Sequence, residues 1–148
     1  MPTLRHAAIV ALLVASGGCA EEAKLPASPT APPAAAVVTT VLRASTTVTG
    51  QPLAAPPSPW ETLIMTTDLP PGGLLPMHKH PWPRYAFVER GRLEVRYEQS
   101  GLVRTFGPGE AVIEANDQWH EGRVVGAEPV RLIVLDQLPP GATNVVRR

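Results

Sequence analysis

Between residues 92 and 99 the chain reads RLEVRYEQ, with Leu93, Val95 and Tyr97 alternating strictly with Arg92, Glu94, Arg96 and Glu98. Successive side chains of an extended strand point to opposite faces, so this segment has one apolar and one charged face. Short β-prone runs of the same kind recur from residue 37 onward. They are VVTTVLRAS (37–45), WETLIMTTDL (60–69), LLPMHKH (74–80), YAFVE (85–89), RLEVRYEQ (92–99), LVRTF (102–106), EAVIEA (110–115), HEGRVV (120–125) and VRLIVLDQL (130–138). Turn chemistry separates them: Gly91, QSG ending at Gly101, GPG at 107–109 and GAEP at 126–129. No window of a dozen residues beyond 37 repeats its apolar positions at helical spacing. The pattern therefore predicts an all-β domain, a sandwich or barrel, over residues 37–141. Residues 142–148, ATNVVRR, are expected as a C-terminal tail, loose or forming one last edge strand.

The chain ahead of the domain is patterned differently. Arg5 precedes AAIVALLVA (7–15), a nine-residue apolar run followed by small residues, which reads as an export signal over 1–19. It is too short for a membrane-spanning helix, which needs about 20 apolar residues. Cys19, the only cysteine, lies in ASGGCAEE, which resembles the lipobox of bacterial lipoproteins, with Ser16 where that pattern prefers leucine. The resemblance implies lipidation of Cys19; an ordinary signal-peptidase cut after Ala20 would instead discard it. Residues 20–36, AEEAKLPASPTAPPAAA, have almost nothing to bury and read as a disordered Pro/Ala-rich linker. The expected location is the periplasm or outer envelope, with a lipid at Cys19 as the sole membrane contact. A single cysteine allows no internal disulfide.

Charge excludes one class of partner. Thirteen basic and thirteen acidic residues cancel to a formal net charge of zero, and the clustered basic surface that nucleic acid requires is missing from the pattern.

The chemistry gathers on histidines. Of four, His6 falls in the leader, so the domain holds only His78, His80 and His120. On a strand, His78 and His80 would share one face with Lys79 turned away, and two such imidazoles can converge on one ion. A His-x-His pair alone is a weak signal. The spacing around it is more specific. Gly72 is followed by five residues, then His78, Lys79, His80, three residues, Arg84, six residues and Gly91. Further on, Gly109 is followed by five residues, then Ala115, Asn116, Asp117, two residues and His120.

These segments resemble the paired motifs of the cupin superfamily, G(X)5HXH(X)3-4E(X)6G and G(X)5PXG(X)2H(X)3N. The resemblance covers residues 37–141 and implies a single antiparallel β-barrel of the jelly-roll type, with a homodimer as one expected assembly. It also implies one divalent metal, zinc, manganese, iron, nickel or copper, held by His78, His80 and His120. The departures are Arg84 in place of the motif glutamate, Ala115 and Asp117 in place of proline and glycine, and Val124 where asparagine is common.

A guanidinium stays charged and repels a cation. Arg84 is therefore expected to turn away, to pair with a carboxylate such as Glu89 or Glu114, or to bind an anionic ligand. Trp82, Trp119 and Gln118 are further candidates to contact a small-molecule ligand, and Tyr85 and Phe87 to line a pocket or pack in the core. No general base stands out beside the ligands. The expected function is a metal-binding module for a small molecule; the alternative is a metal-dependent oxygenase or isomerase acting on a small anionic substrate.

Overall fold

The strict alternation of Leu93–Tyr97 folds as expected: all three apolar side chains are buried, and Glu94 and Arg96 face outward. A computed structural model of the chain describes residues 35–148; the leader, Cys19 and residues 20–34 of the linker lie outside the described residues. Nine strands follow in order, β1 (Glu61–Leu69), β2 (Leu74–Lys79), β3 (Arg84–Arg90), β4 (Leu93–Tyr97), β5 (Val103–Phe106), β6 (Ala111–Ile113), β7 (His120–Val124), β8 (Val130–Leu138) and β9 (Val146–Arg147). There is no helix among the described residues. The strands form two antiparallel sheets, one in the order β1-β8-β3-β6 and the other β5-β4-β7-β2-β9, the arrangement of a jelly roll.

The inward stripe of each strand sets the register. Val88, Val112, Leu132 and Val134 of the first sheet join Leu93, Val95, Phe106 and Val124 of the second in one core. Burying a valine or leucine contributes about 1.5–3 kcal/mol. The outward ion pairs Arg96–Glu121 and Arg123–Glu94, across β4 and β7, are exposed and contribute about 0.2–1 kcal/mol each at best. A slip by one residue would exchange the two faces, so the core decides. Gly91, between β3 and β4, has φ +73°, and a Cβ there would lie 2.5 Å from the Pro129 carbonyl oxygen; only glycine suits both constraints.

One expectation changes, and one open alternative is decided. VVTTVLRAS (37–45) is not a strand: Val37 and Val38 are 89% and 92% exposed, and the first pairing in this region is a single bridge from Thr46 to Pro52. Its β-branched residues favour a pleated surface but meet no partner strand, and propensity alone does not hold a strand. The tail at 142–148, in contrast, carries β9, which pairs with His78 and Lys79 at the edge of β2.

Candidate metal centre

Three strand ends deliver the histidines. His78 lies in β2 and pairs directly with His120, the first residue of β7, which in turn faces Tyr97, the last residue of β4. His80 follows β2, held by a bridge to Asn116. As the two-residue period requires, His78 and His80 are buried while Lys79 turns outward to pair with Asp117 at 2.6 Å. Asp117 has φ +53° and donates its backbone N–H to the His80 carbonyl at 2.8 Å. It thus adopts the left-handed conformation for which the family motif uses glycine, one that aspartate tolerates better than most residues.

The ring centroids stand 4.8 Å (His78–His80), 4.4 Å (His78–His120) and 4.9 Å (His80–His120) apart. Each ring is fixed from behind. Nδ1 of His78 bonds to the Pro76 carbonyl at 2.7 Å, Nδ1 of His80 to that of Asn144 at 2.6 Å, and Nδ1 of His120 to that of Gln118 at 2.9 Å. A carbonyl accepts only, so each Nδ1 carries the proton and each Nε2 keeps its lone pair for the interior. One ligand atom from each ring lies within 4.8 Å of the others. Nitrogens sharing one ion at about 2.1 Å stand roughly 3–4 Å apart, so modest inward closing of the rings completes the fit.

Protonation suits the same role. Burial, reinforced by the Arg84 charge, pulls His80 down to about 2. Burial first and the neighbouring His120 next lower His78 as well. A ligating imidazole must be neutral, and these two are held so.

Arg84 borders the three-histidine cluster and is paired with a carboxylate there. Its Nε donates to Asp136 Oδ1 and its Nη2 to Oδ2, both at 2.6 Å, while Nη1 faces His80 Nε2 at 3.4 Å. Of the roles open to Arg84 in sequence, pairing with a carboxylate is the one the structure displays. The partner is Asp136, not Glu89 or Glu114. Asn144 ties this pair to the tail: its Nδ2 donates to Asp136 Oδ1 at 2.9 Å, its Oδ1 accepts the Trp82 N–H at 2.9 Å, and its carbonyl holds His80.

A cavity of about 270 Å³ opens beside the rings, lined by all three histidines, Arg84 and Glu114 and by apolar residues including Leu75, Val95 and Val134. Trp82, Trp119 and Gln118 are not among its lining residues. The Trp119 ring meets the cations of Lys79, at 5.1 Å, and Arg148, at 5.2 Å; the Trp82 backbone is clamped by the Asn144 side chain. Gln118 contributes its backbone carbonyl to His120, and its Oε1 is buried without a partner. Tyr85 bonds to Gln137 at 3.3 Å and, like Phe87, does not line the cavity.

Four buried polar residues escaped the reading of the sequence as parts of the site: Asp136, Asn144, Glu114 and Tyr97. Asp136 and Glu114 had a signal, because each sits two residues from an inward apolar position, Val134 and Val112, and so shares its face. Asn144 had none, since its place depends on where the tail docks.

Residues 65–136 match the family of the cupin domain, and with the two-sheet fold and the histidine cluster this chain belongs to the cupin superfamily as a metal-binding member. Among solved structures it is similar to the DMSP lyase DddQ from Ruegeria pomeroyi, with 26% identity over 66% of this chain and 46% of that one, at a TM-score of 0.51. It is also similar to an oxalate oxidase in complex with the substrate analogue glycolate, with 25% identity over 57% of this chain and 45% of that one, at a TM-score of 0.50. The chain thus spans less than half the length of either enzyme. A Bacillus halodurans protein at 19% identity, covered over 69% of its length by 58% of this chain with a TM-score of 0.50, shares the fold. No curated protein sequence matches this chain significantly.

Proposed function

We propose that this protein is an exported cupin that binds a small molecule at one divalent ion held by Nε2 of His78, His80 and His120. The observation that carries the reading is the shared anchoring of the three rings: every Nδ1 is spent on a backbone carbonyl, so every Nε2 is offered inward. When bound, the ion supplies a Lewis acid with open coordination positions. The protein's own residues shape what can reach it. The Arg84 charge is neutralised by Asp136, and apart from Glu114 and Arg147 the remaining cavity wall is largely apolar. This favours a compact, mainly apolar ligand that meets the ion through one or two oxygen atoms. The sequence of the leader supports tethering to the envelope through a lipid on Cys19.

The enzyme alternative, an oxygenase or isomerase acting on a small anion, draws on the likeness to an oxalate oxidase and a DMSP lyase. In that reading the ion, not Arg84, would be the partner of the negative group.

Metal analysis of the protein purified from its own envelope tests the proposal. One equivalent of a divalent ion is expected, lost in His120→Ala with the fold intact by circular dichroism. A wild-type protein that takes up no zinc, manganese, iron, nickel or copper overturns it. Binding of a neutral diol, but not of glycolate, to the loaded protein would favour the binding module; turnover of a carboxylate would favour the enzyme.

A further inference from the structure

With Arg84 at the place of the motif glutamate, the centre has no carboxylate where the family pattern puts one. A carboxylate is nevertheless present one strand away. The pairing of β3 with β6 runs Phe87↔Ala111, Ala86↔Val112 and Tyr85↔Ile113. One step further it brings Glu114 opposite Arg84, and the Glu114 N–H donates to the Arg84 carbonyl at 2.9 Å. Directly opposed residues in an antiparallel pair project their side chains to the same face. Glu114 therefore enters the cavity beside the position that the missing glutamate would occupy.

We propose that Glu114 is the carboxylate ligand of this metal centre, displaced by one strand from position 84. The inference rests on the metal-binding reading above. Glu114 Oε2 lies 3.8 Å from His120 Nε2, within the separation that two ligand atoms of one ion require. Only 9% of the residue is exposed, and it lines the same cavity as the three histidines.

Electrostatics supports the assignment. Three neutral imidazoles bring no charge to a divalent ion, and Asp136 is committed to Arg84. Among the described residues, Glu114 is the one carboxylate that lines the cavity. A charge enclosed in an apolar cavity needs a compensating partner, and Glu114 is placed to provide it. The Tyr97 hydroxyl donates to Glu114 Oε2 at 2.7 Å. This single bond orients the carboxylate and leaves a second lone pair on Oε2, the oxygen that faces His120, to meet an ion. Tyr97 is wholly buried and acts as a positioning residue.

The test is a titration of the chelator-stripped full chain with Co²⁺, comparing wild type, Glu114→Gln, Glu114→Asp, Tyr97→Phe and His120→Ala, with circular dichroism to verify folding. Loss of the carboxylate in Glu114→Gln should weaken Co²⁺ binding by more than the roughly 10–100-fold typical of residues that only orient ligands and change the visible d–d absorption of the bound ion. Glu114→Asp keeps the charge but retracts it by one methylene, so it should alter the same band even if the glutamine variant does not fold. Tyr97→Phe should weaken binding by less than Glu114→Gln. Wild-type affinity and an unchanged d–d spectrum in both Glu114 variants, with binding lost in His120→Ala, would overturn the ligand assignment while leaving the three-histidine site standing. A wild-type protein that binds no Co²⁺ would overturn both.

Discussion

Asp136 of β8 stands directly opposite Arg84 of β3 and accepts two parallel hydrogen bonds from its guanidinium, each 2.6 Å long. The side chains are only 2% and 13% exposed, so the pair is largely out of water. Removing one partner of such a pair leaves an uncompensated charge and costs about 3–5 kcal/mol. Asp136→Asn should lower the unfolding free energy by about that amount in urea titrations. The double variant Arg84→Met with Asp136→Leu should recover most of it, because the buried charges then disappear together. A single variant as stable as wild type would show that the pair is not electrostatically coupled.

Asn144 joins the tail to the metal centre. Its carbonyl fixes the His80 tautomer, and its side chain clamps both Trp82 and Asp136. Groups that orient metal ligands typically affect affinity by about 10–100-fold when removed. Truncation after Pro140 should therefore weaken zinc binding by about that factor, and Asn144→Ala, which keeps the backbone carbonyl, by less. Calorimetric titration of the folded variants checks the order. Equal zinc affinity in wild type and truncation would show that the tail plays no part in holding His80.

Two kinds of information in the chain account for what was legible. Period-two alternation needs only local sequence, and it located the strands from residue 60 to 138. It also put His78 and His80 on one face, and motif spacing added His120. Alternation is silent on pairing, however. VVTTVLRAS has the composition of a strand and no neighbour to bond, whereas Val146 and Arg147 form one because β2 has a free edge. The partner of Arg84 was hidden for the same reason. Glu89 and Glu114 are nearer in sequence or motif, yet the β3–β8 register brings in Asp136, 52 residues away. Trp82 and Trp119 looked like pocket residues by type, but the Trp82 backbone is held by the Asn144 side chain and the Trp119 ring meets the cations of Lys79 and Arg148, none of which lines the cavity.

The proposed lipid on Cys19 makes a prediction independent of the barrel. Mass analysis of the mature N-terminus should find the chain beginning at a diacylated Cys19, and detergent should be needed to release it from envelope fractions. A mature chain starting at Glu21 would exclude the anchor while leaving export intact.

Acid should act on the metal-stripped protein through its buried rings. Above a pH of about 6.5 an unfolded chain holds His80 neutral, and the folded state does so too. Below that pH the unfolded chain takes up a proton, whereas folded His80, lowered to about 2 by burial and by Arg84, does not. The unfolded state then binds more protons, so stability falls as pH falls, by about 1.4 kcal/mol per pH unit from this residue alone. Over the two units below about 6.5 the loss is about 2.7 kcal/mol, and His78, lowered in the same direction, adds to it. An ion bound only by the folded state offsets the loss according to its concentration relative to its Kd. Urea unfolding between pH 8 and 5, with chelator and with saturating zinc, should therefore give a steep decline in the first series and a shallower one in the second until protons displace the ion. A flat profile in chelator would mean that the folded protein accepts a proton at His80 as readily as the unfolded chain, and that the ring is not sealed from water.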